Sequence, residues 1–325
     1  MDVVSQMMIY SIPLLAISLL LIMLISDRII RYVLAISRAL GLSEMAAGFI
    51  LLSVTTSLPE LSVSIVASLA GEGGLSAGNV LGSNIANLTI ILGLAILLSR
   101  KEIALKGQSQ KELVQFLFIS SIIPLFIVQR GSLGAVLGVV LLILFIYFSV
   151  TVSRKTETTT SNEPPKQKKE KENIAIVGVK FLVGATLIIV LSKFAVDSSV
   201  DIAGFIGLPT SIIGATIIGL GTSLPELATT IQALKQGLVN MALGNLLGSC
   251  ITNITLILGV SSLLSFSPVN VVAVQSIMFY VLLSSLSVWY MVGASERLTK
   301  KGAIFLCLIY GAFILQQVGV SVFIF

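Results

Sequence analysis

A chain of 325 residues that is 56% hydrophobic and only 11% charged, with a mean hydropathy of +1.05, cannot cover a soluble surface, and its class is polytopic membrane protein. The formal charge of +5 does not signal nucleic acid, because the basic residues are spread through short loops rather than gathered on one face. With no histidine, histidine metal sites, triads and proton relays are excluded; Cys250 and Cys307 lie in separate apolar segments and read as small core residues rather than a disulfide or a thiolate metal site.

A membrane span needs about 20 largely apolar residues. Ten stretches qualify: roughly 7–26, 43–70, 74–99, 112–129, 132–153, 173–196, 208–236, 238–265, 267–292 and 302–324. The N-terminus lacks the charged start and small-residue cleavage site of a signal peptide, so the first stretch is read as a true span. Between spans five and six lies "SRKTETTTSNEPPKQKKEKEN", residues 153–173, polar and charged, with Pro164 and Pro165. It reads as a flexible linker too short for a regulatory domain. The expected organisation is a first half at 1–153, a linker at 154–172 and a second half at 173–325.

Lysine and arginine set the expected orientation. With ten spans, alternate loops share a side; seventeen basic residues fall on one side, while Arg130 and Lys193 fall on the other, with Lys180 inside a span. Both termini are therefore expected outside a cell membrane and the linker in the cytoplasm. Asp197 and Lys193 are expected at the outer end of a span.

Sliding the chain on itself by 166 residues aligns Gly41 with Gly207 and Gly93 with Gly259 without a gap, with 23 identities over 53 positions. The shared blocks are T-S-L-P-E-L followed by G-N-x-L-G-S-x-I-x-N. Composition alone does not place these in one register, so the halves are an internal duplication. Five spans in each half make the second enter the membrane from the opposite side, and the copies are expected to be inverted. The predicted fold is an all-α polytopic membrane protein of ten transmembrane helices, as two inverted five-helix repeats with broken helices two and seven.

The breaks come from Pro59 and Pro225. Proline has no N–H to donate and frees the carbonyl four residues back, which names Thr55 and Gly221, with Thr56 and Thr222 loosened beside them. Freed carbonyls in hydrocarbon need a partner, and a cation is one. Of fifteen acids, only Glu60 and Glu226 fall deep in spans, where an ionised carboxylate costs at least about 3 kcal/mol. Helical spacing places Thr56, Ser57 and Glu60 on one face, as it does Thr222, Ser223 and Glu226. On the next span Ser83 and Asn87 are four apart, as are Ser249 and Asn253. Gly78, Gly82, Gly244 and Gly248 permit close helix approach. The pooled donors are all oxygen, which suits Ca²⁺ and Na⁺ rather than zinc or copper.

Plainer readings stand beside these. Glu60 and Glu226 could be protonated structural acids; Ser57, Ser83, Ser223 and Ser249 could line ordinary helix contacts; Asn87 and Asn253 could be interhelical glue. Intramembrane acids default to function, and the repetition of the whole set favours ligands.

The paired blocks resemble the two alpha-repeats of the calcium/cation antiporter superfamily, and specifically its sodium/calcium exchanger branch. The resemblance implies ion sites between the halves. It implies that Glu60 and Glu226 bind Ca²⁺ together with the main-chain carbonyls of Thr56 and Thr222, and that Ser57, Ser83, Ser223 and Ser249 help hold Na⁺. It also implies a slide of spans one and six against the rest. This chain departs from the pattern at Thr55, where the first repeat usually has glycine, and in carrying amides at both Asn87 and Asn253. The second departure argues against the potassium-dependent branch. The T-S-L-P-E block also differs from the G-N-x-x-E usual in the proton/calcium branch.

The function expected is secondary antiport of Ca²⁺ against Na⁺ by alternating access, not enzymatic, with no cofactor, no nucleic acid and no obligatory protein partner beyond the lipid bilayer. The alternative is an H⁺/Ca²⁺ or other divalent cation antiporter, since two nearby carboxylates also attract protons. A cation channel lacks support because no repeated pore loop with a carbonyl filter is present. A non-transporting scaffold leaves the duplicated acids unexplained.

Overall fold

The computed structural model describes residues 3–39, 53–54, 56–98, 103–104, 108–157, 174–235, 239–293 and 297–319. Among these, six helices are long and apolar enough to cross a membrane: Gly73–Leu98, Gln110–Arg130, Ala175–Ile206, Thr210–Ile231, Ala242–Leu264 and Val271–Gly293, with shorter apolar helices at Tyr10–Ile25, Leu58–Leu69 and Ala135–Thr151. In chain order the helices used below are α1 (Val3–Ala39), α2 (Leu58–Leu69) and α3 (Gly73–Ala86, continuing to Leu98). After them come α4 (Gln108–Ile122), α5 (Leu125–Arg130), α6 (Ala135–Glu157) and α7 (Ile174–Ile206). The chain continues with α8 (Thr210–Ile213, continuing to Thr222), α9 (Leu224–Lys235), α10 (Val239–Thr252, continuing to Leu264), α11 (Val271–Gly293) and α12 (Lys300–Gln317).

Several helices differ in length from the stretches expected. Helix α1 runs to Ala39 and α7 to Ile206, where spans ending near 26 and 196 were expected. Lys193 and Asp197 are therefore not at a helix end. They form an exposed i,i+4 ion pair of 3.1 Å within α7, the spacing at which a helix brings opposite charges together. Helix α6 extends to Glu157, into the expected linker, and residues 158–173 lie outside the described set. The upstream part of span two, 43–52, also lies outside it.

Two cores divide the molecule. The larger gathers α3, α10, α11 and α12 around Leu81, Ile85, Leu246, Ile254, Ile277 and Phe313. The smaller joins α1 to α7 through Leu15, Leu19, Ile22, Ile188, Ala195 and Val196. These two long helices pack along one another more extensively than any other pair, and Ser11 Oγ donates to Asp201 Oδ2 at 3.0 Å. The outward faces stay apolar, with Val183, Ile189 and Val190 of α7 and Ile143, Ile146 and Tyr147 of α6 exposed, as a lipid-facing surface requires.

Lipid removes the hydrophobic drive between helices, so close packing needs small residues. A β-carbon at Gly78 or Gly82 of α3 would overlap the backbone carbonyls of Ser211 and Ala215 on α8. Here the two helices meet backbone to backbone, as the glycine spacing leads one to expect.

Among the described residues, three π-turns interrupt the helices, at Asn87–Ile91, Gly214–Ile218 and Asn253–Ile257. Each has threonine in its third position, and that hydroxyl donates to the carbonyl four residues back: Thr89 to Ile85, Thr216 to Ile212 at 2.8 Å and Thr255 to Ile251 at 2.7 Å. The side chain competes with the regular i→i−4 backbone bond and the turn widens. Two of these turns begin at the repeated asparagines. Short pairings also tie the halves together: β1 (Ile103–Ala104) is antiparallel to β2 (Arg297–Leu298), and Ser132 bridges Pro268 while Val269 N–H donates to the Gly131 carbonyl at 2.9 Å.

Candidate cation site

Helices α8 and α9 are separated by one non-helical residue, Ser223, with φ −83° and ψ 4°; Ser57, which precedes α2, has φ −86° and ψ 13°. The proline two residues on sets each break. Pro59 occupies the first turn of α2, where a missing N–H costs nothing. The Gly221 carbonyl, expected free, accepts the backbone N–H of Ser223. Its counterpart Thr55 lies outside the described residues. The breaks place Glu60 and Glu226 in the first turns of α2 and α9, both fully buried.

S-x-x-E at a helix start commonly forms a capping box within one helix. Here the serines reach across instead. Ser57 Oγ donates to Glu226 Oε1 at 3.4 Å, and Ser223 Oγ donates to Glu60 Oε1 at 3.1 Å. Ser57 makes no side-chain cap in its own helix. Each half therefore supplies a hydroxyl to the other half's carboxylate.

The threonines cross in the same way. Thr56 Oγ1 lies 3.0 Å from Ser249 Oγ and 3.4 Å from Asn245 Oδ1. Thr222 Oγ1 lies 3.4 Å from Ser83 Oγ and donates to Asn79 Oδ1 at 3.2 Å. Ser83 Oγ also donates to the Gly219 carbonyl at 3.1 Å. Eight of the ten residues singled out in the sequence thus fall into two buried hydrogen-bonded clusters, one around each carboxylate.

Asn87 and Asn253 stand apart from them. Both are fully buried at the start of a π-turn. Asn253 Nδ2 donates to Asn84 Oδ1 at 3.1 Å, whereas neither amide atom of Asn87 has a hydrogen-bond partner. Asn79 and Asn245 were passed over in the sequence, yet both stand in the repeated block four residues before the serines. Their identity in both copies was the signal available.

Buried polar atoms normally find a partner. Here Glu60 Oε2, Glu226 Oε2, Asn87 Oδ1 and Asn253 Oδ1 have none. Four unpartnered oxygens among the candidate residues, two of them on carboxylates, form an environment that a hard cation satisfies. Among the described residues no group of three or more His, Cys, Asp or Glu side chains comes together, so the charge rests on two carboxylates among neutral oxygens.

A family model described as sodium/calcium exchanger protein matches this chain twice, over residues 10–154 and 177–319. The chain belongs to this family. Among its sodium/calcium exchanger relatives is MaX1 of Methanosarcina acetivorans, 31% identical over 283 residues, covering 76% of this chain and 80% of that protein. The inner membrane protein YrbG of Escherichia coli is 31% identical over 265 residues, covering 79% and 81%. Among solved structures, the sodium-calcium exchanger NCX_Mj superposes with a TM-score of 0.63 at 28% identity, covering 94% of this chain and 98% of that one. The H⁺/Ca²⁺ exchanger CAX superposes with a TM-score of 0.74 at 19% identity over 95% of this chain and 82% of that one, which is a likeness of fold alone.

Proposed function

We propose that this sodium/calcium exchanger family member is a secondary antiporter that exchanges Ca²⁺ for Na⁺ by alternating access. The observation that carries the reading is the crossed carboxylate pair: Glu60 and Glu226, fully buried, each held at one oxygen by the opposite half's serine and unpartnered at the other. Two negative charges match one divalent ion, or take several monovalent ones with some net charge left over. Ca²⁺ takes about six to eight oxygens, and Thr56, Thr222, Ser57, Ser223, Ser83, Ser249, Asn87 and Asn253 are the neutral candidates around the pair.

Competition for the shared carboxylates makes one ion leave before the other binds. Empty, the pair resists crossing, because unpaired charge is costly in a sealed low-dielectric site. The halves 1–153 and 173–325 are proposed as inverted five-span repeats joined by the 154–172 linker, with the ions near the midplane, the termini outside and the linker in the cytoplasm. The slide is proposed for the α1–α7 pair, whose core meets the rest of the molecule at Val63 and Ala67 of α2, Leu75 of α3 and Ile213 and Ile218 of α8. Exchange of more than two Na⁺ per Ca²⁺ would make transport respond to voltage.

The test is ⁴⁵Ca²⁺ uptake into proteoliposomes loaded with Na⁺, against vesicles loaded with K⁺ or carrying an imposed pH gradient. Uptake that requires the outward Na⁺ gradient is expected. Uptake that follows the pH gradient and ignores Na⁺ would instead assign proton coupling.

A further inference from the structure

Asn84 and Cys250 are counterparts in the repeat, 166 residues apart, and they touch: Asn84 Nδ2 donates to the Cys250 backbone carbonyl at 2.9 Å. A residue that meets its own counterpart lies on the relation that exchanges the two copies. The flanking positions are identical, Ser83 and Ile85 against Ser249 and Ile251, yet here one copy has an amide and the other a thiol.

The difference propagates to the repeated asparagines. A carbonyl oxygen only accepts, so the amide nitrogen of Asn84 must face Cys250. Its Oδ1 is then left to accept from Asn253, whose Nδ2 donates at 3.1 Å. That in turn directs Asn253 Oδ1 away, buried and without a hydrogen-bond partner. The orientation follows from a chain of donors and acceptors anchored on the main chain. The mirror-image arrangement around Asn87 would need an amide at position 250. It meets the Cys250 thiol, a weak donor and weak acceptor, and the Asn87 amide beside that sulfur makes no hydrogen bond of ordinary geometry. Asn84 directly follows Ser83, whose Oγ lies 3.4 Å from Thr222 Oγ1, and Ser223 beside Thr222 donates to Glu60, so this cluster adjoins the carboxylates.

Resting on the antiporter reading above, we infer that Asn84 is a positioning residue: it holds Asn253 with its carbonyl oxygen presented as a fixed ion ligand, while Asn87, with only the Cys250 thiol beside its amide, is held less firmly. Two copies of one block thereby supply unequal ligands. A pre-oriented oxygen binds without first losing rotamer freedom, so the Asn253 side of the site is the organised one.

The test is Ca²⁺ binding by the purified full chain, measured by isothermal titration with calcium chloride, in single and double variants. Asn84→Ala is expected to weaken binding about tenfold, the usual cost of removing a partner that orients a metal ligand. Asn253→Ala should weaken it at least as much, and the Asn84→Ala/Asn253→Ala protein should bind no more weakly than Asn253→Ala alone. Losses from Asn84→Ala and Asn87→Ala should multiply, since they lie on different sides. Cys250→Asn supplies the missing amide, so Asn87→Ala should cost more in that background than in the wild type; this arm decides the matter if Asn84→Ala does not fold. Unchanged affinity in Asn84→Ala, multiplication of its loss with that of Asn253→Ala, or an Asn87→Ala loss indifferent to Cys250→Asn would each overturn the inference. A wild-type protein that binds no Ca²⁺ would overturn the antiporter reading itself, and this inference with it.

Discussion

Around Glu60 and around Glu226, the two copies of the block make the same bonds to opposite partners. Ser57 and Ser223 exchange carboxylates, and Thr56 and Thr222 exchange the serine and asparagine of the neighbouring helix. One turn further out the copies part. Asn79 Nδ2 donates to the Glu60 carbonyl at 3.2 Å and to Ser64 Oγ at 2.9 Å. Asn245 Nδ2 turns to Thr229 at 3.2 Å, a residue whose counterpart is Val63, while Thr230, the counterpart of Ser64, has an unpartnered hydroxyl. Symmetry is thus retained where side chains face the carboxylates. It is lost in the supporting layer, where a side chain needs some hydrogen-bond partner but not a particular one.

Substitutions can break this comparison or sharpen it. The largest effect is expected at the carboxylates. A unit charge about 4 Å from a cation contributes about 4 kcal/mol per unit of ionic charge at an effective dielectric of 20, so Glu60→Gln and Glu226→Gln should each weaken Ca²⁺ binding by roughly a thousandfold or more. Parallel losses in ⁴⁵Ca²⁺ uptake would support equivalence, and a loss confined to one variant would break it.

Packing comes next. Gly78→Ala drives a methyl into the Ser211 carbonyl and should cost about 2 kcal/mol of stability, seen as a lower unfolding midpoint in detergent. Gly134, with open space around it, should tolerate alanine within about 0.5 kcal/mol. A loss at Gly244→Ala matching that at Gly78 would extend the equivalence from the site to its packing.

The crossed serines should give smaller, unequal effects. A hydrogen bond to an ionised group is worth about 1.5 kcal/mol, or roughly tenfold in apparent Na⁺ affinity. Ser223→Ala, which removes the 3.1 Å bond, should exceed Ser57→Ala, which removes the 3.4 Å bond. Smallest of all, Lys193→Ala breaks the exposed α7 ion pair, for about 0.5 kcal/mol of stability and no change in transport.

Much of this was legible in the sequence because duplication repeats its signals. Chance does not place Pro-Glu twice in apolar spans at one offset, and proline chemistry then puts a break within the turn before Pro59 and Pro225, at Thr55 and Gly221; the non-helical residues are Ser57 and Ser223, two positions on. Lengths were less legible. Helices α1 and α7 continue past Arg28 and Asp197, because a helix leaving the apolar layer keeps its backbone hydrogen bonds whatever its side chains are. The π-turns had a signal, threonine in the third position, but a threonine back-bond widens only some helices, and neighbouring contacts select which.

By itself the sequence determined that the chain lives in a membrane, that it carries two copies of one block, and that Glu60 and Glu226 are its deep acids. Hydropathy, periodicity and repetition are local or one-dimensional properties, and they survive without coordinates. Only the tertiary structure decided that each serine serves the opposite carboxylate rather than capping its own helix. It alone brought Asn84 onto its own counterpart, Cys250, and left Asn87 and Asn253 with different surroundings. Such choices depend on which helices approach closely enough to share a hydrogen bond, and here glycines whose partners lie more than 130 residues away set that distance.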